Sequence, residues 1–405
     1  MLGNHSMQTS GNTSVHSLYL YGLRTAAIAA SFVGGAILQR LLSKRLSPGE
    51  PNIDYPRLQN FFLLAYGATV LGYIFWATVC YTHGVGLAQV ISILRGDPGA
   101  SYEIRDLGVT VPGMTTATQF GMAAAIFGAI LWSRRPSPRL AIMLMLLIAM
   151  AMVRSLLWSE RTATIEIVVP ILVTIFGRRD WNTRPLIRRL IFLGPLLGGA
   201  FLYLYFTASE SVRSWGHYAG TGSSIWYFSW MRLGGYYITA LNNGALMYKT
   251  SGTLPFPYTV FESFWKFPGM NLVLPYGDTF SVDPYAYLDS LKAMANPEFN
   301  NPSGVFPYVL DFGRIGACAF FFLAGWVCSA IYAAFRRGGL VGLLCFPLVF
   351  ISILEVSRIP YATSSRTLPS WVLLFLGCFL LKRTPRRRRL AELRTARRLQ
   401  PEPAS

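Results

Sequence analysis

Long apolar runs separated by short basic clusters make up most of this chain. A helix crossing the hydrocarbon core of a bilayer needs about 20 apolar residues. On that measure the pattern predicts spans near 18–41, 60–80, 117–133, 139–157, 162–177, 190–207, 313–335, 340–357 and 369–381, the fifth and ninth being short. The runs lack the strict alternation of a half-buried strand. Basic clusters stand at Arg40/Lys44/Arg45, at Arg134/Arg135/Arg139, at Arg178/Arg179/Arg184/Arg188/Arg189, at Arg336/Arg337 and from Lys382 to Arg398. They fall in every second loop, as the bias of Lys and Arg toward the cytoplasmic side demands. The expected fold is therefore an all-α polytopic membrane protein of about nine transmembrane helices, eight to eleven being compatible with the runs. Its N-terminus is expected outside and its C-terminus in the cytoplasm.

Composition agrees with this pattern. Of 405 residues, 53% are hydrophobic and 13% charged. A soluble domain carries about 25% charged residues, so this chain has too few to cover a water-facing surface. The net charge of +18 sits in Arg and Lys at the ends of the runs, where topology explains it and no nucleic-acid partner is needed. The tail KRTPRRRRLAELRTARR reads as a cytoplasmic anchor attracted to anionic lipid. Cys80, Cys318, Cys328, Cys345 and Cys378 lie in or beside apolar segments, where Cys acts as a small hydrophobe. With only His5, His16, His83 and His217 besides, a His/Cys metal site is not expected. Met1 to His16 is polar and lacks the basic start of a cleavable signal.

These boundaries divide the chain into transmembrane helices over 1–207, a large outer loop over 208–312, further transmembrane helices over 313–381 and a basic tail over 382–405. A first outer segment, His83 to Thr115, contains GVGLAQVISILRG, which suits a short amphipathic helix on the membrane surface. The large loop has 105 residues, of which 23 are Phe, Tyr or Trp. That is too aromatic for a disordered linker. It is expected to fold as a cap, helical from Ile225 to Leu246. Its aromatic residues suit either an interfacial belt or stacking faces for sugar rings.

Ionisable groups inside a membrane are costly and point to function. Glu166 lies in the fifth span, five residues after Arg161. Glu355 precedes Arg358 by three residues on one helical face near the end of the eighth span. The outer side collects Arg154, Arg161, Arg213, Arg232, Arg314, Arg358 and Arg366. Guanidinium binds phosphate oxygens in a bidentate fork, so such a cluster suits the diphosphate of a lipid-linked substrate. The same arginines would stabilise charge gained by a leaving diphosphate. The alternative is local pairing, Arg161 with Glu160 or Glu166 and Arg358 with Glu355. The first long outer loop offers only Glu103 and Asp106 as a carboxylate pair. The sequence holds no DxD triplet, no GxxxxGK[ST] loop and no GxGxxG fingerprint, which disfavours metal-assisted nucleotide-sugar chemistry, an ATP-driven pump and a dinucleotide enzyme.

Three stretches carry a family likeness. They are SERTATIEIVVPIL, MRLGGYYITALNNGALMY and NPSGVFPYVLDFGRIGACAFFFLAGW. With Arg161 opening a span, Arg232 ahead of Tyr236 and Tyr237, and Tyr-x-x-Asp-Phe-Gly entering the next span, the chain resembles the Wzy-type oligosaccharide repeat-unit polymerases, relatives of the O-antigen ligases. The likeness spans residues 60 to 380. Arg232 is followed by Gly244 twelve positions on, one more than in some family members.

The resemblance implies a bundle of the membrane-glycosyltransferase type in a bacterial inner membrane, with a periplasmic active site. It implies transfer of a growing glycan from undecaprenyl diphosphate onto a second lipid-linked repeat unit, without metal, nucleotide or other cofactor. A chain-length regulator and a flippase would be its protein partners. Arg161 and Arg232 are the first candidates for the donor diphosphate, followed by Arg213 and Arg358, with Arg366, Glu355, Tyr236 and Tyr237 also expected to bind substrate. His217, with a suitable pKa near neutrality, and Asp311, the family-like carboxylate, are candidate general bases. A loop histidine and a helix N-cap are the alternatives for these two. The rival functions are a ligase delivering polymer to lipid A core, and a lipid-linked oligosaccharide flippase, which would show internal repeats and midplane charges.

Overall fold

The computed structural model describes residues 15–43, 53–95, 114–158, 162–177, 185–218, 222–267, 269–295 and 301–382, with the single positions 97, 111, 220 and 299. Among these, every regular element is helical, apart from one isolated bridge between Ile53 and Lys382. The longer helices are α1 (Val15–Leu42), α2 (Tyr55–Thr82), α3 (Leu87–Arg95), α4 (Gly121–Arg134), α5 (Pro138–Leu157) and α6 (Thr162–Phe176). They continue with α7 (Pro185–Arg213), α8 (Ile225–Ser251), α9 (Tyr287–Met294), α10 (Phe306–Arg336), α11 (Leu340–Leu354) and α12 (Leu368–Leu380). Every expected span falls on a helix. Thr25–Leu42, Tyr55–Thr82, Thr115–Arg134, Pro138–Leu157 and Phe306–Arg336 are long and apolar enough to cross a membrane. Thr162–Phe176, Leu340–Leu354 and Ser365–Leu380 are shorter apolar helices. The architecture is that of an all-α membrane protein.

Local chemistry explains where the elements begin and stop. α2 starts five residues earlier than hydropathy predicts, because Asp54 caps it by accepting from the Arg57 N–H and Pro56 fits its first turn. The eighth expected span ends at Leu354, and residues 355–358 form a turn. α10 is broken at Gly313, whose φ of 67° and ψ of −175° only glycine adopts readily.

The core lies around α4. Every residue from Gly121 to Ile130 is buried, so this helix is apolar on all sides and surrounded by protein. α2, α5, α6, α11 and α12 supply the packing partners, among them Phe62, Leu147, Ile171, Leu344 and Leu374. Outside this core, α1 lies against α10 at very short range. A Cβ at Gly35 would collide with the Phe322 carbonyl, and one at Gly325 with that of Phe32. In lipid, where apolar faces gain nothing by leaving solvent, close backbone approach of small residues is what holds helices together. Ser329 adds a hydrogen bond of 2.8 Å to Gln39 Oε1.

Polar contacts sort the bundle into two ends. At one, the Arg134 guanidinium lies 4.6 Å over the Tyr55 ring, Arg336 donates to the Gly177 carbonyl at 2.8 Å, and the Asp54 N–H donates to the Leu381 carbonyl at 2.9 Å. At the other, Arg154 donates to Thr118 at 2.6 Å and Ser370 to the Gln119 carbonyl at 2.6 Å. The second end carries the cap.

In the cap, α8 runs to Ser251, past the expected Leu246, and short helical turns at Glu262–Trp265, Met270–Val273 and Tyr276–Phe280 lead to α9. Its aromatic residues divide: Trp226, Tyr227 and Trp230 on α8 are exposed, while others turn inward. Tyr258, Trp265 and Tyr276 pack with Met247, Leu254 and Leu310 into the loop's own core. The Tyr258 and Tyr276 rings meet at 5.0 Å, and Trp265 and Tyr276 at 5.1 Å. Burial pushes the Tyr287 hydroxyl pKa up to about 12 and raises that of Tyr285, so these phenols stay neutral. The expected surface helix between His83 and Thr115 is α3, which packs on α5 and α7.

Candidate functional site

At the cap end, helix termini from distant parts of the chain bring charged side chains together. Glu166 sits in the second turn of α6, with 6% of its surface exposed. It accepts from Arg366 Nη2 at 3.0 Å and from the Tyr361 hydroxyl at 2.6 Å. Both partners come from the connection between α11 and α12. The Tyr361 side chain is 1% exposed, so the ion pair is held against a rigid wall. Glu355, at the end of α11, accepts from Arg358 at 2.8 Å across one turn. Glu355 also lies within electrostatic reach of Glu166 and Arg366, which makes the two pairs one cluster. Arg154, in the last turn of α5, joins its edge through Tyr73, which is within reach of Arg154, Glu166 and Arg366.

Aromatic rings extend this cluster toward the cap. The Arg358 guanidinium lies 5.8 Å from the Tyr236 ring on α8. Tyr236 meets Phe299 edge-on at 4.8 Å, and Phe299 carries the Arg232 guanidinium at 5.3 Å. Arg232 in turn faces Glu210 of α7 at 2.9 Å, the pair being 6% and 0% exposed. Asn243 ties the same segment down by donating to the carbonyls of Phe299 and Asn301 at 2.6 and 3.1 Å. Arg154, Arg232, Arg358 and Arg366 thus stand with Glu166, Glu210 and Glu355 in one chain of contacts. The arginines are in excess, and that imbalance favours an anion. Arg358 and Arg366, 21% and 19% exposed, are the two best placed to meet one. The Arg358 Nε–H is buried without an acceptor among the described residues.

The expected site residues separate into groups. Arg232, Tyr236, Arg358, Glu355 and Arg366 come together. Tyr237, the next residue on α8, is 37% exposed. Asp311 lies in the cap's own framework, where it accepts from the backbone N–H groups of Tyr258, Thr259 and Val260 at 2.9, 3.0 and 2.9 Å. That commits both of its oxygens to holding the loop. Arg161 lies outside the described residues, as do Glu103 and Asp106, and the side chains of Arg213 and His217 are likewise not described. Local pairing holds for Arg358 with Glu355, but Glu166 takes Arg366, which sequence distance alone does not suggest. Glu210, Phe299 and Tyr361 were not anticipated. Glu210 carried the signal that singled out Glu166, an acid on a long apolar helix; Tyr361 and Phe299 carried none.

Among the described residues no three His, Cys, Asp or Glu side chains gather as metal ligands. Comparison with protein-family models, curated proteins and solved structures finds no match for this chain.

Proposed function

We propose that this protein is a metal-independent membrane glycosyltransferase of a bacterial inner membrane. It would polymerise undecaprenyl-diphosphate-linked oligosaccharide repeat units into a surface polysaccharide at the periplasmic face. The observation that carries the reading is the cluster of Arg358 and Arg366 with Glu355 and Glu166 at the cap end of the bundle, joined by Tyr236 and Phe299 to Arg232. Nine spans, an outer N-terminus and a cytoplasmic C-terminus accord with it. The contacts of Arg134, Arg336 and the chain near Lys382 lie at the end opposite that cluster, as the cytoplasmic bias of basic residues asks. The loop over 208–312 is then periplasmic.

In this reading the acceptor hydroxyl oxygen bonds to the anomeric carbon of the donor as the bond from that carbon to the diphosphate oxygen breaks. The diphosphate leaves with the bonding pair, and its growing charge is met by Arg358 and Arg366. Arg161, next in sequence to α6, joins them as a donor-binding candidate. Arg232, sequestered with Glu210, positions the aromatic wall rather than touching phosphate. The acceptor proton passes to His217 or Glu355, since both Asp311 oxygens are already engaged by backbone N–H groups. No metal or nucleotide is required, because the diphosphate is an activated leaving group.

The test is to incubate the protein in nanodiscs with its lipid-linked repeat unit and resolve the products on a gel. Wild type should give a ladder that Arg358→Ala and Arg161→Ala lose at unchanged expression. One-step transfer seen only when lipid A core is supplied would make the protein a ligase. Passage of lipid-linked sugar across a liposome bilayer with neither product would make it a flippase and end the enzyme reading.

A further inference from the structure

Beside the arginine cluster, two tryptophans meet under α3. Trp76 of α2 is 4% exposed and packs edge-to-face with Trp158, the cap residue of α5, at 5.5 Å. Both indole Nε1–H groups are buried and have no acceptor among the described residues. Burying a donor without a partner is disfavoured, and a pair of such donors side by side marks a place where an acceptor belongs. The Arg154 guanidinium lies 5.3 Å from the Trp158 ring while donating to Thr118. Next to Thr118, Gln119 has a buried Oε1 that no described donor reaches. The corner is closed by Val85 and by Ile93 of α3, which pack with Tyr73 and Trp76. α3 is a nine-residue helix resting on α5 and α7.

We infer that this corner is a carbohydrate subsite, in which Trp76 Nε1–H and Trp158 Nε1–H donate to oxygens of a sugar ring belonging to the acceptor chain. The inference rests on the glycosyl-transfer reading for the word acceptor, and on the indole geometry alone for the word carbohydrate. A sugar suits the corner because its hydroxyl and ring oxygens accept from N–H donors and its C–H faces tolerate aromatic walls. Tyr73 links the corner to Arg154, Glu166 and Arg366, so a sugar bound here would have its neighbour in the chain beside the diphosphate cluster.

The experiment uses full-length protein in nanodiscs with its tryptophan indoles labelled with nitrogen-15. The probe is the lipid-free repeat-unit oligosaccharide, released from its diphosphate by mild acid, with inorganic pyrophosphate as the comparison. Of the ten tryptophan signals, those assigned through Trp76→Phe and Trp158→Phe should move saturably with the oligosaccharide and stay still with pyrophosphate. Each Phe variant keeps the aromatic wall and should weaken oligosaccharide binding about fivefold, the loss of one neutral hydrogen bond. Signals that ignore the oligosaccharide, or respond only to pyrophosphate, overturn the subsite even if wild type makes a polymer ladder. Moving signals with no ladder would uphold the subsite and remove the polymerase.

Discussion

Arg366 and Glu166 clasp across 200 residues of sequence, Nη2 to Oε2 at 3.0 Å, where the ends of α6 and α12 meet. Tyr361 donates to the same carboxylate at 2.6 Å, so one acidic side chain holds two points of the connection that also carries Arg358. The pair is buried enough for its loss to matter. Removing one member leaves the other charge poorly compensated, at a cost of about 3–5 kcal/mol, whereas removing both is far milder. Arg366→Ala is therefore expected to lower the thermal unfolding temperature in detergent clearly, and Arg366→Ala with Glu166→Gln to recover most of the loss. Equal destabilisation by the single and double variants would contradict the clasp.

Arg232 and Arg358 should separate by phenotype, although the sequence gives both the same appearance. Glu210 is fully buried against Arg232, so Arg232→Ala should cut folded yield, with Glu210→Gln restoring it in part. Arg358→Ala should fold, because Arg358 is itself 21% exposed and Glu355 keeps Arg366 within electrostatic reach. Its ladder synthesis should fall about a hundredfold, the scale for losing one preorganised donor to developing charge. Folded yield and activity measured side by side in the same preparations check the distinction.

Gly304 sets the height of the connection bearing Glu355 and Arg358. A Cβ there would collide with the carbonyl oxygens of Val356 and Ile359. Gly304→Ala should leave the bundle folded yet shift that turn, lowering polymer yield about tenfold or more, as small misplacements of positioning groups do. Crosslinking yield between cysteines introduced at Val356 and Gly304-flanking Ser303 would report the shift independently of activity. Full activity in Gly304→Ala would remove the turn from the site.

The cap should come apart in alkali before the bundle does. Tyr287 has its hydroxyl pKa raised by burial from 10.0 to about 12. A raised folded-state pKa means the unfolded chain releases its proton first, so stability is intact below pH about 10 and declines as pH rises through about 12. Near-ultraviolet circular dichroism and tyrosinate absorbance, followed together over that window, should show loss of aromatic packing coincident with ionisation. Helical signal in the far ultraviolet should persist longer.

Much of the helical layout was legible from hydropathy, because apolar runs long enough to span a bilayer have few other solutions. The α8 and α3 segments were also readable, from periodicity within otherwise outer stretches. Their ends were less so. Asp54 extended α2 by capping it, and the turn at Glu355 cut the eighth segment short, both through local hydrogen bonds that hydropathy does not weigh. The cap's aromatic surplus was visible as a count, but its use was not. Tyr258, Trp265 and Tyr276 form a core, since a loop of this size must bury its own apolar surface to hold a shape.

For the candidate site, charge position relative to the apolar runs was enough to expect Arg154, Arg232, Arg358 and Arg366 toward one end of the helices. The Arg358–Glu355 pair, one helical turn apart, was legible as one of two alternatives for those side chains. Long-range packing brings Glu166 to Arg366 and Arg232 to Glu210, sets Tyr236 and Phe299 between Arg358 and Arg232, and gives Asp311 to the cap. Those partners meet through helix packing and loop closure over long separations. Charge pairing has no sequence period across such distances, so side-chain geometry alone selects among carboxylates and arginines of equal charge.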